Sequence, residues 1–289
     1  MRSEQEMLQL ILDFTSRDDN IRAVLMNGSR ANPNAPRDPF QDFDILCLVR
    51  DLSPYFRNPD IPPMFGEIMI LQLPDDMMDP PPGPDGHYTY LMQFMDGNRI
   101  DLSFHLLSKI EDVMHDSLTI VLQDKDGLLK NLPPSSDRDY LPKQPTNKAF
   151  QDCCNEFWWC NPYAAKGLWR GELTYAKYMI EVVIRPQLMK MLVWYFGMCT
   201  GFEKSPGKLG KYLKAGLEPE LWVELKATYS DAKFDRIWKS MLVMGRLFRR
   251  IACAVASAYG FEYPQGDDER VSAYLLRIKN LPGDAREIA

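Results

Sequence analysis

Apolar residues recur at helical spacing over residues 7–14 (Met7, Leu8, Leu10, Ile11, Phe14), and Asp18-Asp19-Asn20 closes this first amphipathic helix. The pattern then changes to short apolar runs separated by polar loops rich in proline and glycine. Residues 21–26 and Phe43–Val49 read as buried strands, the first closed by Asn27-Gly28-Ser29. Residues 67–73 read as a third strand, stopped by Pro74. The proline-dense stretch at 79–86 predicts a loop. Residues 88–94 and Arg99–Leu106 flank Asp96-Gly97-Asn98 and predict a hairpin. A helix is expected over 110–121.

Residues 131–146 have the proline-rich, polar character of a linker, and beyond them the period is helical throughout. Helices are expected near 147–160, 163–197, 206–215, 219–229 and 235–259, with a last one around 267–279. Asn161-Pro162 predicts an N-cap followed by proline at the first helical position, and Pro186 a kink in the long second helix. There is no internal repeat. The expectation is a sheet-and-helix domain over residues 1–135 followed by an all-helical domain over 136–289.

Composition narrows the function without naming it. Hydrophobic residues make up 45% of the 289-residue chain, enough for full cores in two domains. No apolar run approaches the ~18 residues of a membrane span, and the polar, acidic N-terminus is unlike a targeting peptide. The six cysteines show no paired spacing and read as reduced thiols of a cytoplasmic protein. Forty acids against thirty-four bases, a net charge of -6, argue against nucleic-acid coating and favour a cationic small substrate.

The chemistry concentrates around Gly28-Ser29-Arg30 and Asp42-Phe43-Asp44. Side chains two apart on a strand share a face, so Asp42 and Asp44 are expected to stand side by side at the mouth of the sheet. Their repulsion suits a hard divalent cation such as Mg²⁺, held by carboxylates and substrate phosphate oxygens. Gly28 lets backbone N–H groups approach a phosphate, and the Ser29 hydroxyl adds a donor. Two other Asp-x-Asp triplets, Asp124-Lys125-Asp126 and Asp137-Arg138-Asp139, lack a following apolar strand. In residues 99–105 the alternation puts Ile100, Leu102 and Phe104 on one face and Arg99, Asp101, Ser103 and His105 on the other. Asp101 is therefore either a third metal-binding carboxylate, sufficient with the others for two Mg²⁺ ions, or the salt-bridge partner of Arg99 or another base.

Gly28-Ser29, Asp42-x-Asp44 and a later strand aspartate, Asp101, resemble the DNA polymerase β-type nucleotidyltransferase fold. The fuller text from Gly28 to Asn34 and from Asp38 to Asp44 resembles the aminoglycoside 6-adenylyltransferases, the streptomycin-modifying resistance enzymes. The resemblance continues in Phe65-Gly66-Glu67, Arg99-Ile100-Asp101-Leu102, Asn155-Glu156-Phe157-Trp158-Trp159 and Lys166-Gly167-Leu168-Trp169-Arg170, and covers essentially the whole chain. It departs at Ile61-Pro62-Pro63, where a helical lead-in is more usual.

The resemblance implies an α+β fold, with a nucleotidyltransferase-type mixed sheet followed by a helical domain, and transfer of AMP from ATP to a streptomycin hydroxyl with pyrophosphate released. Asp42, Asp44 and Asp101 would hold the metals, with Asp101 as general base and Glu67 as runner-up. Gly28, Ser29, Arg30 and a helical-domain lysine, Lys177, would bind the nucleotide. Lys177 equally suits an i,i+4 pair with Glu181. Asp152, Glu156 and Trp159 fall on one helical face, where two acids beside an indole could cradle the guanidinium groups of streptomycin. The alternatives are another acceptor on the same fold, or a non-catalytic nucleotide-binding regulator.

Overall fold

The computed structural model describes every residue except Met78, Pro82, Pro84, Asp85 and Ala289, so part of the expected proline-rich loop lies outside the described residues. The chain divides into two compact units, Met1–Asp139 and Tyr140–Ala289.

The first unit opens with α1 (Glu4–Ser16), started by a capping box in which Ser3 and Glu6 satisfy each other's backbone N–H groups. Then follow β1 (Ile21–Asn27), α2 (Gly28–Ala31), β2 (Phe43–Val49), β3 (Ile68–Gln72), β4 (His87–Phe94), β5 (Arg99–Leu106), α3 (Ile110–Val113) and β6 (Thr119–Asp124). The departure at Pro62 and Pro63 takes the form of a single 3-10 turn, Pro62–Phe65. The strands form one six-stranded sheet in the order β3-β4-β5-β2-β1-β6. Among these strands only β2 and β5 run parallel; the other neighbours are antiparallel.

Period-2 alternation gives this sheet two unlike faces. Val24, Met26, Ile45, Cys47, Tyr88, Tyr90, Met92, Ile100, Leu102 and Phe104 enter the main core beneath Met7 and Ile11 of α1. On the opposite face Ala23, Leu25, Leu46 and Leu48 meet Leu129, with Ile110 and Val113 of α3 packed against them. The same face carries Asp44, Asp101, Ser103 and His105. The helix expected over 110–121 is not formed beyond Val113. The Asp116 side chain accepts from Leu118 N at 2.9 Å and its carbonyl from Thr119 Oγ1 at 2.8 Å. The β-branched Thr119-Ile120-Val121 then pairs along the edge of β1.

The second unit is helical: α4 (Asn147–Trp169), α5 (Leu173–Tyr178), α6 (Arg185–Cys199), α7 (Pro219–Ala227), α8 (Phe234–Tyr259) and α9 (Gln265–Asn280). Three expectations are corrected here. Pro162 lies inside α4 instead of starting a helix. Trp158, Cys160, Ala164 and Ala165 are buried on both sides of this proline, and Asn161 Nδ2 donates to the Phe157 carbonyl at 2.7 Å. The helix expected over 163–197 is three pieces: α4 ends at Trp169, and a π-helical turn, Met179–Ile184, joins α5 to α6 just before Pro186, which has no N–H to continue the α ladder. Residues 206–215 form only two 3-10 turns, because Pro206 and the left-handed Leu209 (φ 57°) interrupt the helical backbone.

A buried polar network anchors α9. Asp268 is 0% exposed and accepts from Tyr263 Oη at 2.7 Å, Ser272 Oγ at 2.9 Å and the Arg249 guanidinium. Burial opposes its ionisation, yet these donors hold its carboxyl below the ordinary range.

Candidate active site

β1 ends in Asn27, and the chain turns sharply through Gly28 at φ +72° into α2. That turn sits directly against Asp44: a Cβ on Gly28 would stand 2.0 Å from Asp44 Oδ2. Across the sheet Asn27, Asp44 and Asp101 form one register row, because Asn27 opposes Asp44 and Asp44 opposes Asp101 in the parallel β2–β5 pair. The sheet therefore brings together the Gly-Ser turn, Asp44 and the later aspartate. Asp42 differs from expectation, since β2 begins at Phe43 and Asp42 precedes the strand. It is connected to Asp101 through Arg99 rather than through a shared strand face.

Arg99 is the main electrostatic feature of this face. Its guanidinium makes a bidentate pair with Asp101, Nε to Oδ1 at 2.7 Å and Nη2 to Oδ2 at 2.8 Å, and reaches Asp42 Oδ2 through Nη1 at 3.6 Å. Desolvation pushes the Asp42 carboxyl up, Arg99 pulls it down, and the neighbouring Asp101 charge pushes it up again. The hydrogen bond to Asp101 raises Arg99 itself, with Asp42 and Asp44 adding to the effect. Of the two readings of Asp101, the pair with Arg99 is formed, and Asp101 also lies in register with Asp44.

Among the described residues no group of three or more His, Cys, Asp or Glu side chains is gathered for a metal; here the guanidinium spans two of the carboxylates. The donor chemistry nonetheless fits a hard cation. Asp44 and Asp101 are register neighbours, Arg99 links Asp101 to Asp42, and two nearby acceptors, Asn27 Oδ1 and Gln41 Oε1, are buried without a hydrogen-bond partner among the described residues. Asn27 and Gln41 are additions to the site. The only sequence signal for them is a polar residue adjoining Gly28 in one case and Asp42 in the other.

Arg30 takes a different place from the one expected. It is 6% exposed, donates to the Gln41 carbonyl from Nε at 3.2 Å and Nη2 at 2.8 Å, pairs with Glu4 at 3.1 Å and stacks on Phe43 at 3.8 Å. Gln41 Nε2 donates back to the Ser29 carbonyl at 3.1 Å. Arg30 is thus a clamp that fixes the loop leading into Asp42, its guanidinium committed inside the protein. Glu67 is exposed next to edge strand β3, where its carbonyl accepts from Met95 N at 2.9 Å. The β3 residue in register with Leu91, and so with Asp101, is Gln72, five positions away. The structure does not bring Glu67 to the carboxylates.

The other two Asp-x-Asp triplets have structural employment. Asp124 accepts from Leu128 N and Leu129 N, Asp126 pairs with Arg22, Asp137 accepts from Asn34 Nδ2 and Asp139 from Ser117 N.

In the helical unit, Asp152, Glu156 and Trp159 do share a stripe of α4. Trp159 is 63% exposed, Glu156 is half-buried and accepts from Cys160 Sγ at 3.3 Å, and Asp152 is exposed and paired with Lys148 at 2.6 Å. Lys177 reaches Glu181 at 3.4 Å and the Ser230 carbonyl at 3.2 Å, and Glu181 is also held by Arg185. The plain i,i+4 pair is therefore formed.

Comparison with known proteins gives the family. Residues 1–278 match the family model described as streptomycin adenylyltransferase. An aminoglycoside 6-adenylyltransferase of Bacillus subtilis (strain 168) is 38% identical over 270 residues, 93% of this chain and 95% of its own length. One of Campylobacter jejuni is 38% identical over 284 residues, 98% of each chain. A crystal structure of an aminoglycoside 6-adenyltransferase from Bacillus subtilis aligns at 34% identity and a TM-score of 0.48, covering 97% of this chain and all of that one.

Proposed function

The chain belongs to the streptomycin adenylyltransferase family and is a nucleotidyltransferase, and we propose from that premise that it transfers AMP from MgATP to a hydroxyl of streptomycin, the 6-OH of the streptidine ring, releasing pyrophosphate. The observation that carries the reading is the row Asn27–Asp44–Asp101 abutting the Gly28 turn. It sets a glycine turn with φ +72° beside carboxylates at one end of a sheet, an arrangement that supports a phosphate-binding role.

Asp42, Asp44 and Asp101 would hold the Mg²⁺, two ions in this reading, whose chemistry is to neutralise charge on the phosphate oxygens and lower the proton affinity of the attacking hydroxyl. The protein's own work is mainly positioning. The backbone at Gly28 and the Ser29 hydroxyl donate to phosphate oxygens. Asp101 orients the acceptor hydroxyl and takes its proton. Arg30 and Gln41 keep Asp42 at the mouth of β2. Glu156 and Trp159 of α4 suit the guanidinium groups of the antibiotic, one by charge-assisted hydrogen bonds and the other by stacking. Asp152 would join them by exchanging its pair with Lys148 for ligand, and Lys177 would exchange Glu181 for the nucleotide's phosphates. Six free thiols, four of them buried, support a reducing, cytoplasmic setting, and no helix among the described residues is long and apolar enough to cross a membrane.

The test is pyrophosphate release from MgATP with streptomycin, kanamycin, spectinomycin or no acceptor. Release only with streptomycin supports the full reading. Release with a different aminoglycoside keeps the chemistry and replaces the acceptor. ATP binding with no release in any arm would favour the non-catalytic regulator.

A further inference from the structure

Arg99 occupies a position that the transfer reaction does not explain. It is on the open face of β5, between two carboxylates assigned to the metal, and binds Asp101 through the Nε and Nη2 edge of its guanidinium while Nη1 reaches Asp42. It also lines a shallow cavity of about 250 Å³ with Ile70, Gln72, Leu91 and Gln93. None of those four residues carries a carboxylate. An arginine so placed cannot be neutral at any working pH, so its charge must be accommodated whenever another cation arrives.

We propose that Arg99 is the site's displaceable counter-ion. In the nucleotide-free enzyme it neutralises Asp42 and Asp101; a divalent cation then competes with it for Asp101 and displaces the guanidinium toward the cavity. The inference rests on the metal reading of the three carboxylates. Asp42 and Asp101, both within reach of this one guanidinium, would repel in the absence of any cation, and the tethered charge relieves that repulsion. The competition lowers the affinity for metal alone, and it therefore favours metal arriving together with nucleotide, whose phosphates supply further ligands. Arg99 acts through Asp101 in this account and is a positioning residue.

The experiment is calorimetric titration of Mn²⁺ into the nucleotide-free full-length protein at 0.15 M salt, where charges beyond ~8 Å are largely screened. Wild type, Arg99→Gln, Arg99→Lys and Asp101→Asn are compared, with folding checked by circular dichroism. Arg99→Gln is expected to bind Mn²⁺ roughly three- to tenfold more tightly than wild type, with Arg99→Lys in between and Asp101→Asn weaker than wild type. The same Arg99→Gln protein should melt at a lower temperature without metal and recover more on adding Mn²⁺ than wild type does. If wild type binds Mn²⁺ and folded Arg99→Gln binds it equally or less well, the counter-ion role is overturned while the metal reading stands. If no variant binds Mn²⁺ and Asp101→Asn matches wild type, the metal reading fails and takes this inference with it.

Discussion

Replacing Gly28 by alanine separates backbone strain from damage to the site. The backbone there has φ +72°, a conformation that costs a residue bearing Cβ roughly 1–2 kcal/mol. The new methyl would also stand 2.0 Å from Asp44 Oδ2, against ~3.5 Å for an optimal non-bonded contact. Either the Asp44 carboxylate or the turn must retreat by more than about 1 Å, and a displacement of that size at a reacting centre costs on the order of 10²-fold in rate. Gly97 provides the control, because its φ is +89° and a Cβ added there would meet nothing within 4 Å. Gly97→Ala should lose similar stability in urea denaturation but retain AMP transfer. Gly28→Ala should lose both, with kcat/KM down about a hundredfold. A Gly28→Ala enzyme within about threefold of wild type would refute the placement of Asp44 at the reacting centre.

Asp42→Asn and Asp44→Asn should each reduce adenylyl transfer to less than about 1% while the far-ultraviolet circular dichroism stays native, since phosphoryl transfer depends on charge stabilisation at these oxygens. Asp268→Asn should cost about 3 kcal/mol in urea denaturation, because it removes the charge that the Arg249 guanidinium pairs with in a buried network; a loss under about 1 kcal/mol would contradict that. His105, stacked on His87 at 5.2 Å, is pushed down to about 4, first by burial and then by the His87 charge. The unfolded chain therefore takes up a proton near pH 6.5 that the folded protein refuses until about pH 4, so stability falls as pH drops through that window. Melting temperatures from pH 7.5 to 4.5 should fall more steeply for wild type than for His105→Gln.

Alternation makes β5 legible from sequence: Ile100, Leu102 and Phe104 are all in the core, and Arg99, Asp101, Ser103 and His105 share the other face. The two strands around Gly28 and Asp44 are equally clear, because an apolar run ending in Gly-Ser has few other readings. Pairing partners are not legible. Whether Thr119-Ile120-Val121 continues a helix or becomes a strand depends on the edge of β1, about a hundred residues earlier in the chain. Pro162 stays within a helix because tertiary burial on both sides outweighs the lost backbone hydrogen bond.

The site shows the same division. Residue type and spacing single out Asp42, Asp44 and Asp101 as candidates, but the sequence does not disclose that Arg30 is buried under Phe43, or that Arg99 bridges Asp42 to Asp101. Those facts depend on loop paths that bring Gln41 back to Ser29. Glu67 has the right chemistry, and strand register places it away from the carboxylates.

The most direct test of the central claim is mass spectrometry of streptomycin after incubation with MgATP and the enzyme, run beside Asp44→Asn. The account predicts an adduct heavier by one adenylyl group, located on the streptidine ring and absent with Asp44→Asn. Unmodified streptomycin with wild type, or an equal yield of adduct from Asp44→Asn, would contradict it.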